Sequence, residues 1–518
     1  YHCLIFLKKS KILNYILRLK MGSLVKEYKK EKLIGQIYTP DFIVSKILDD
    51  VGYTNAININ NRKLLDPACG DGQFLKEVVK RIIKYSPEDK LLNNLENIVG
   101  WDIDENAINL CIKSLNEIID SLNIKVNWNI KRINSLLKYE IDDLFNFSNE
   151  KEKFDYIIGN PPYIRIQHLD EFTRNFIQMN YKFCKNGSTD IYIAFFELCI
   201  NLLSENGICG LITPNTFFYT ETARPLRSFF KENRNIIQLT NYGYIQLFEN
   251  ASTYSAITIF SNEQRNNFIF QKAKSKNDFT TRIIKFSELK EPFWQISDSI
   301  TEIRNGKRLG DIANIHVGIT TLCDKGYIFK IKEIDDKFIL ASTFFKGDII
   351  IEKSILKPVI KGSTLKSSND KISEWIIFPY KKINGKHVII PEEELKYIYP
   401  LAYDYLKSIK DELDKRDNGT PNSVSWYAFG RSQGLDTSFG KKIIFSPMNI
   451  KPNFIYYENE ECSLYSGYCI KYNGNIDLLL TQLNSERMQE FINNSSRDFR
   501  GGWKAYNKKV IENFIIEL

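Results

Sequence analysis

The chain has 518 residues, a net charge of +8 and a sequence pI of about 8.7. This length exceeds that of one typical domain and predicts two or three. Nine cysteines and four histidines form no Cys-x-x-Cys pair and no Cys/His cluster, which argues against structural zinc. The basic balance permits a polyanionic partner without proving one, because heavy use of Ile, Asn and Lys is also typical of AT-rich genomes.

The first twenty residues are basic and apolar, and they begin with Tyr1 rather than Met. Lysines interrupt their short apolar runs, so neither a membrane span nor a secretory signal is expected. Met21 is a more natural start. We therefore expect residues 1–20 to be a non-native or upstream segment, with a packed N-terminal helix as the alternative.

A strand, a glycine loop and a helix are predicted in succession from residue 62. Arg62–Leu65 ends a strand-like run, Asp66–Phe74 reads Asp-Pro-Ala-Cys-Gly-Asp-Gly-Gln-Phe, and apolar residues then recur at helical spacing. This order is typical of the first turn of a doubly wound α/β domain. Leu75 replaces the third glycine of a dinucleotide loop, and acids such as Asp71 suit an ammonium group better than a pyrophosphate. S-adenosylmethionine (AdoMet) carries such an ammonium group.

Polar side chains also follow the later strand candidates. These candidates are, in chain order, Asn97–Trp101, Val126–Ile133 and Tyr156–Ile158. Asp102 is placed to bind both ribose hydroxyls of a nucleoside, and Ile103 to pack on its adenine ring. Asn134 and Ser135 are placed to meet the adenine edge. Because ligands of open α/β sheets bind at the carboxyl ends of strands, we expect these side chains to share one site.

Asn160-Pro161-Pro162-Tyr163 follows the apolar run Phe154–Ile158. The Asn160 side-chain oxygen and the Pro161 carbonyl can each accept one N–H from an exocyclic amine. Two prolines fix φ and remove competing donors, and Tyr163 offers a face for stacking on a base. The alternative is a plain Pro-Pro turn, which the ordered set of ligand-compatible strand ends makes less favoured.

From Gly35 onward the chain resembles the gamma class of type II DNA adenine-N6 methyltransferases, the TaqI-like and Eco57I-like family. The motifs above carry the resemblance, together with Gly35–Pro40, which reads Gly-Gln-Ile-Tyr-Thr-Pro before a predicted helix over Asp41–Asp49. The resemblance implies an α/β protein. Its Rossmann-like AdoMet-dependent methyltransferase sheet would be joined to a second, mixed α/β C-terminal DNA-recognition domain.

The resemblance also implies a role for individual residues. The implied AdoMet contacts are Tyr38, Thr39, Pro40, Asp66, Ala68, Gly70, Asp102, Ile103, Asn134, Ser135 and Asn160. The residues implied to act on the target base are Asn160, Pro161, Pro162, Tyr163 and Phe248. Asn134 departs from the Asp usual in the family, although an Asn oxygen can accept the same hydrogen bond. For Phe248, burial in the core is the alternative. No metal ligand is implied.

The domain boundaries are predicted from polar runs at Ser261–Asn267 and Lys272–Asp278. We predict a catalytic domain over 21–265, a linker over 266–300 and a DNA target-recognition domain over 301–518. Within the catalytic domain, a helix is predicted over Asp190–Leu203. Three stretches of the last region mix aromatic and basic residues: Phe378-Pro379-Tyr380, Trp426-Tyr427 with Arg431, and Arg497–Trp503. Such residues suit phosphate and base contacts or, alternatively, the core.

The implied function is methyl transfer from AdoMet to the N6 amino group of an adenine flipped out of double-stranded DNA. We expect a cytoplasmic, nucleoid-associated monomer with no membrane contact, and a cognate restriction endonuclease that acts separately. Three alternatives stay open. One is a methyltransferase acting on RNA or protein glutamine. Another is a fused enzyme with a nuclease module, for which the N-terminus is expected to leave little room. The third is a catalytically inactive DNA-specificity protein.

Overall fold

The structure of the protein is a computed structural model that describes residues 39–137, 152–185, 187–248, 254–289, 293, 294, 296, 306–496 and 498–517. The segment 1–20 and the predicted contact Tyr38 lie outside these residues. The chain divides into two compact units, Tyr1–Ile296 and Ser297–Leu518. Among the helices of the described residues, none combines the length and the apolar character needed to cross a membrane.

The first unit is built on one nine-stranded sheet. Its strands are β1 (Leu64–Asp66), β2 (Ile98–Asp102), β3 (Asn129–Arg132), β4 (Phe154–Gly159), β5 (Leu203–Pro214), β6 (Ile236–Asn241), β7 (Ser255–Ser261), β8 (Asn267–Ala273) and β9 (Phe279–Lys285). They lie in the order β3-β2-β1-β4-β5-β7-β6-β8-β9. Strands β1 to β5 pair in parallel, and β7 runs antiparallel to β5 and β6. The predicted α/β class is confirmed, and the strand order reverses between β1 and β4, where such sheets bind ligands.

Helices cover both faces of this sheet. They are α1 (Asp41–Asp50), α2 (Ala56–Ile59), α3 (Gln73–Tyr85), α4 (Leu91–Glu96), α5 (Glu105–Ile119), α6 (Glu171–Asn180), α7 (Tyr192–Leu202) and α8 (Arg224–Asn233). Successive strand residues point to opposite faces. Leu64 therefore packs in a cluster with residues of α1, α3 and α5, whereas Leu65 packs in a cluster with residues of α6, α7 and α8.

The elements predicted from periodicity are confirmed, with small shifts at their ends. Helix α1 extends one residue beyond the predicted Asp41–Asp49, and α7 lies inside the predicted Asp190–Leu203. The strand predicted over Val126–Ile133 is shortened to β3. Such shifts are ordinary, because helix and strand ends depend on local hydrogen bonds that a hydrophobic pattern does not encode.

The linker predicted over 266–300 is wrong for its first half, because residues 267–285 form β8 and β9 of the sheet. Phe268 and Phe270 are buried on one side of β8, and Ile284 is buried on β9. The two polar runs on which the boundary was based are largely turns, one before β8 and one between β8 and β9. A hairpin turn and a flexible linker share the same polar composition, so composition alone does not separate them.

The second unit is a mixed α/β structure, as predicted. Its strands are β10 (Lys307–Arg308), β11 (Asn314–Val317), β12 (Ile328–Ile334), β13 (Phe338–Thr343), β14 (Gly347–Glu352), β15 (Leu356–Lys361), β16 (Glu374–Ile377), β17 (Tyr380–Ile383), β18 (Lys386–Ile389), β19 (Lys442–Phe445), β20 (Met448–Asn449), β21 (Phe454–Tyr457), β22 (Ser463–Tyr465), β23 (Tyr468–Lys471), β24 (Asp498–Phe499), β25 (Trp503–Ala505) and β26 (Ile515–Ile516). Its larger sheets have the orders β14-β13-β12-β16-β15-β22 and β11-β23-β19-β21.

Short helices pack around these sheets. They are α9 (Leu309–Ile312), α10 (Asp324–Tyr327), α11 (Glu392–Ile398), α12 (Pro400–Ser408), α13 (Lys410–Asp414), α14 (Arg416–Gly419), α15 (Ile476–Leu483), α16 (Glu486–Ser495) and α17 (Lys508–Ile511). Residues of α11, α12 and α13 share one hydrophobic cluster with the six-stranded sheet, and residues of α15, α16 and α17 share another with the four-stranded sheet. The second unit therefore has cores of its own.

Helix α1 packs unusually close to strand β5. A Cβ atom added to Gly210 of β5 would lie 2.8 Å from Cγ1 of Val51 and 2.9 Å from Cγ2 of Ile47. Both distances are shorter than carbon atoms tolerate without movement. The missing side chain at Gly210 is therefore what lets α1 lie directly on the sheet.

We predict that Gly210→Val destabilises the first unit by roughly 1–3 kcal/mol, because the added methyl groups must push α1 off β5. The measurement is urea unfolding of the full chain, and Glu205→Val is the matched control, since Glu205 is exposed on the same strand. The control should shift stability by no more than about 0.5 kcal/mol. Equal midpoints for the two variants would contradict this account of the packing.

Candidate active site

The candidate site lies where the central strands of the first unit end. Asp66 is the last residue of β1, and Asp102 is the last residue of β2. Asn134 lies two residues beyond β3, and Asn160 directly follows β4. Because these four strands are parallel neighbours, their carboxyl ends lie at one edge of the sheet. The structure therefore brings the predicted polar residues to a common edge.

The Asp102 carboxylate is fixed by two backbone amides. Its Oδ2 accepts the Gly70 N–H at 2.9 Å, and its Oδ1 accepts the Asp104 N–H at 2.9 Å. Each oxygen keeps a further lone pair for another donor, such as a ribose hydroxyl. Ile103 beside it is 55% exposed, so its side chain is accessible to an adenine ring. The geometry here is compatible with both predicted roles.

The glycine loop between β1 and α3 has one open face and one packed face. Gly70 has φ +52°, and a Cβ added there would meet no atom within 4 Å. Gly72 has φ +88°, and its added Cβ would lie 2.6 Å from the Cys111 sulfur of α5. Gly72 thus closes the loop onto α5, while Gly70 leaves a cradle that a ligand can approach closely.

Asp66 is buried at the base of this loop. Its Oδ1 accepts the Ala68 N–H at 3.1 Å. Burial raises the pKa of the Asp66 carboxyl to about 8, and the nearby negative charge of Asp102 acts in the same direction. The carboxyl is therefore largely protonated at neutral pH in the ligand-free protein. A cationic ligand would favour its ionised form. The buried acid, the Gly70 cradle and Asp102 together fit AdoMet.

Asn134 and Ser135 are partly engaged within the protein. The Ser135 hydroxyl is buried and donates to the Pro67 carbonyl, so it ties the loop after β3 to the loop after β1. Asn134 Oδ1 accepts the Leu136 N–H at 3.2 Å, which turns the chain locally. Both side chains shape the site, and their contact with the adenine edge stays a prediction.

The Asn160 side chain is held between two hydroxyl groups. Its Nδ2 donates to Thr39 Oγ1 at 3.1 Å, and the Tyr163 hydroxyl donates to its Oδ1. The same Tyr163 hydroxyl lies 3.2 Å from the Ile212 carbonyl oxygen. Burial raises the pKa of Tyr163 well above its ordinary value, so the hydroxyl stays neutral and keeps its proton. The Asn160 side-chain oxygen, which is the predicted acceptor for the target amine, is thus held in one orientation.

The Tyr163 ring is supported by helix α7. Its ring contacts Tyr192 edge-on, with a centroid distance of 6.2 Å and an interplanar angle of 84°. Tyr192 is buried, and its hydroxyl lies 3.2 Å from Thr216 Oγ1. Pro161 is buried between Asn160 and the partly exposed Pro162. The ring predicted to stack on a base is therefore braced by core residues.

Phe248 lies in the core of the first unit rather than in an open site. Its side chain is 2% exposed, within a cluster that also contains Leu247 and Tyr242. The Gln246 amide donates to its carbonyl at 3.0 Å. Residues 249–253, which follow it, lie outside the described residues. This burial agrees with the core alternative, and stacking on a base would require the ring to leave its cluster.

The sequence patterns did not predict the contact between Asn160 and Thr39. Thr39 is predicted as an AdoMet contact, but its side chain is 3% exposed and its oxygen is used by Asn160. The two residues are 121 positions apart, and no local periodicity relates them. The bond from the Gly70 N–H to Asp102 is likewise long-range, at a separation of 32 residues.

The aromatic and basic stretches of the second unit divide into core and surface. Phe378 and Tyr427 are buried, so they are core residues. Trp503 is 41% exposed, and Arg431 is exposed and pairs in a bidentate manner with Asp417, with both N–O distances at 2.9 Å. Arg497 lies outside the described residues. Surface contacts of Arg431 and Trp503 with DNA stay predictions.

A Rossmann-like sheet with an acidic glycine loop after β1 and an Asn-Pro-Pro-Tyr turn after β4 is typical of AdoMet-dependent methyltransferases. Residues 96–248 match the family model described as Eco57I restriction-modification methylase. Over these residues, about a third of its length, the chain is similar to that family.

Relatives that align with most of the chain agree with this similarity. The chain is 28% identical to the Type II restriction enzyme and methyltransferase RM.Eco57I of Escherichia coli, over 80% of this chain and 49% of that protein. It therefore spans about half the length of that relative. It is also 26% identical to the Type II methyltransferase M.BanIII of Aneurinibacillus aneurinilyticus, over 85% of this chain and 80% of that protein.

The fold also has a counterpart among solved structures. It is similar to that of the Type IIL restriction-modification enzyme MmeI, solved in complex with DNA, with a TM-score of 0.60 and 13% identity. The likeness covers 94% of this chain and 67% of that one. At this identity the likeness concerns the fold alone, and it includes both units of the chain.

We predict that AdoMet binding at pH 6 releases close to one proton, because the cationic ligand converts Asp66 from neutral to ionised. Affinity should then rise with pH up to about 8, the pKa of the ligand-free carboxyl. Calorimetry in buffers of different ionisation enthalpy measures the released proton. Asp66→Asn should abolish the release, whereas the control Asp71→Asn in the same loop should retain it.

For the ligand-free protein, the Asp66 carboxyl is expected to make stability fall as pH rises, whereas it makes AdoMet affinity increase. Its raised pKa stabilises the folded state below the unfolded value of about 3.9, and this contribution is lost as pH rises through about 8. As pH rises between these two values, the free energy of unfolding of the wild type should therefore fall relative to that of Asp66→Asn. Parallel pH profiles for the two proteins would show that Asp66 is ionised in the free protein.

Proposed function

We propose that the protein transfers the methyl group of AdoMet to the N6 amino group of an adenine flipped out of double-stranded DNA. The observation that carries the proposal is the Asn160 amide, whose two ends are held by Thr39 and Tyr163 beside the AdoMet-compatible loop. Relatives named Type II methyltransferases support DNA as the substrate over RNA or protein glutamine.

The proposed chemistry depends on two acceptors at one amine. When bound, AdoMet would supply an activated methyl group on a sulfonium sulfur, which would become a neutral thioether as the S–CH₃ bond breaks. The Asn160 side-chain oxygen and the Pro161 carbonyl accept the two hydrogens of the target amine. These contacts favour a pyramidal nitrogen with a directed lone pair and stabilise the positive charge that develops there. Neither oxygen is a strong base, so the proton lost from nitrogen passes to solvent.

The Tyr163 hydroxyl must share or release Asn160 Oδ1 when the target amine arrives. The Ile212 carbonyl, 3.2 Å from that hydroxyl, offers it a second acceptor. The Tyr163 ring then covers one face of the flipped base, which contributes roughly 1–3 kcal/mol. This stacking offsets part of the few kcal/mol that base flipping costs.

DNA recognition belongs in this proposal to the second unit. The exposed Arg431, whose guanidinium is held by Asp417, and the exposed Trp503 are suitable for phosphate or base contacts. A cognate restriction endonuclease that cuts the same unmodified site is the proposed biological partner, and the protein is proposed to act as a monomer.

We predict that Asn160→Ala lowers the single-turnover methylation rate by at least roughly 100–1,000-fold, the usual cost of removing one preorganised polar group at a reacting atom. AdoMet binding should survive, because Asn160 is one of several implied AdoMet contacts and the loops after β1 and β2 are unchanged. Asn201→Ala is the matched control, since Asn201 is exposed at the end of α7. Equal loss of binding and transfer would argue against the proposed role.

The proposed reaction is tested by single-molecule sequencing of DNA from a methylation-deficient host that expresses the full chain. We expect adenine modification within one short sequence motif. DNA affinity of the purified protein should also fall steeply with salt, since Lys and Arg contacts to phosphates release counterions. Unmodified DNA from a host in which the purified protein binds AdoMet would overturn the assignment of DNA as substrate.

A further inference from the structure

Thr39 and Tyr163 both anchor the Asn160 amide, and the two contacts differ in one respect. The Tyr163 hydroxyl donates to Oδ1, which is the atom that the proposed reaction offers to the target amine. Thr39 Oγ1 accepts from Nδ2, which the target does not need. Entry of the base therefore competes with the contact from Tyr163 and leaves the contact to Thr39 intact.

An asparagine amide needs such an anchor because its two ends are nearly the same in shape but opposite in hydrogen bonding. A half-turn about χ2 exchanges the acceptor oxygen for a donor NH₂ group. In that orientation Asn160 would present hydrogens to an amine that also carries hydrogens. Small tilts of the amide plane are costly too, because misplacement of a reacting contact by about 1 Å can cost roughly 100-fold in rate.

We propose that Thr39 is a positioning residue for the Asn160 amide: it holds the Nδ2 end so that Oδ1 stays directed at the target amine after Tyr163 has yielded that oxygen. This inference rests on the proposed function. It differs from the role of AdoMet contact that the sequence resemblance implies for Thr39.

The surroundings of Thr39 suit this role. Its side chain is buried, and it directly precedes Pro40 at the start of α1. The backbone of α1 begins with the Ile43 N–H donating to the Pro40 carbonyl at 2.9 Å, and α1 is seated on β5 at Gly210. The hydroxyl is thus carried by a fixed element of the core, and a rigid acceptor is what orientation of an amide requires.

The experiment compares Thr39→Val, which keeps the shape and removes the hydroxyl, with Thr39→Ser, which keeps the hydroxyl. Single-turnover methylation at saturating AdoMet and DNA should fall roughly 10- to 100-fold in Thr39→Val and stay within about threefold of the wild type in Thr39→Ser. Calorimetry should give both variants an AdoMet dissociation constant within about twofold of the wild type. A larger AdoMet dissociation constant in Thr39→Val with an unchanged single-turnover rate would overturn the proposal in favour of an AdoMet contact.

Two further results separate this inference from the proposed function. Equal loss of rate in Thr39→Ser and Thr39→Val would mean that packing, and not the hydroxyl, matters. Thermal unfolding of Thr39→Val, Asn160→Ala and the double variant measures the contact without any reaction, and non-additive shifts are expected for bonded residues. Additive shifts would overturn the inference. A wild-type protein that leaves DNA unmethylated would overturn the proposed function, while this cycle would still decide the contact.

Discussion

Helix α1 lies directly on strand β5 because Gly210 presents no side chain where Val51 and Ile47 approach the sheet. This contact seats the C-terminal half of α1 on the sheet, and Thr39 lies just before the other end of the same helix, where it contacts Asn160 after β4. Asn160 then has a hydroxyl partner at its Nδ2 and a second one, from Tyr163, at its Oδ1. The orientation of the proposed catalytic amide thus depends on a packing contact between a helix and a strand far from it in sequence.

Two carboxyl groups at the neighbouring strand ends are treated differently by the fold. Asp102 receives two backbone N–H donors, which hold a carboxylate ready for further donors. Asp66 is buried with one backbone donor, and its pKa rises to about 8. The free protein thereby avoids two negative charges at adjacent positions, and a cationic cofactor can supply the missing positive charge on binding. Asp66 therefore carries a buried negative charge only when a cationic ligand is present to compensate it.

The sequence predicted those features that depend on near neighbours along the chain. Strand β1, the glycine loop and α3 follow from period-two and helical spacing and from glycines with positive φ. The Asn-Pro-Pro-Tyr turn was identifiable because its two acceptors and its aromatic ring are contiguous. Prediction failed at β8 and β9, since polar hairpin turns have the composition of a linker. It also assigned Phe248 to the site, with the core as the alternative, and the structure buries that ring.

The sequence by itself thus determined the fold class, the order of the motifs and the chemical types of the site residues, because these depend on spacing and on side-chain chemistry. Only the tertiary structure decided which groups meet. Thr39 and Asn160 are 121 positions apart, and Gly70 and Asp102 are 32 apart. Such pairs form when strands align in parallel and helices pack across them, and these contacts are selected by burial and shape over the whole domain rather than by any local pattern.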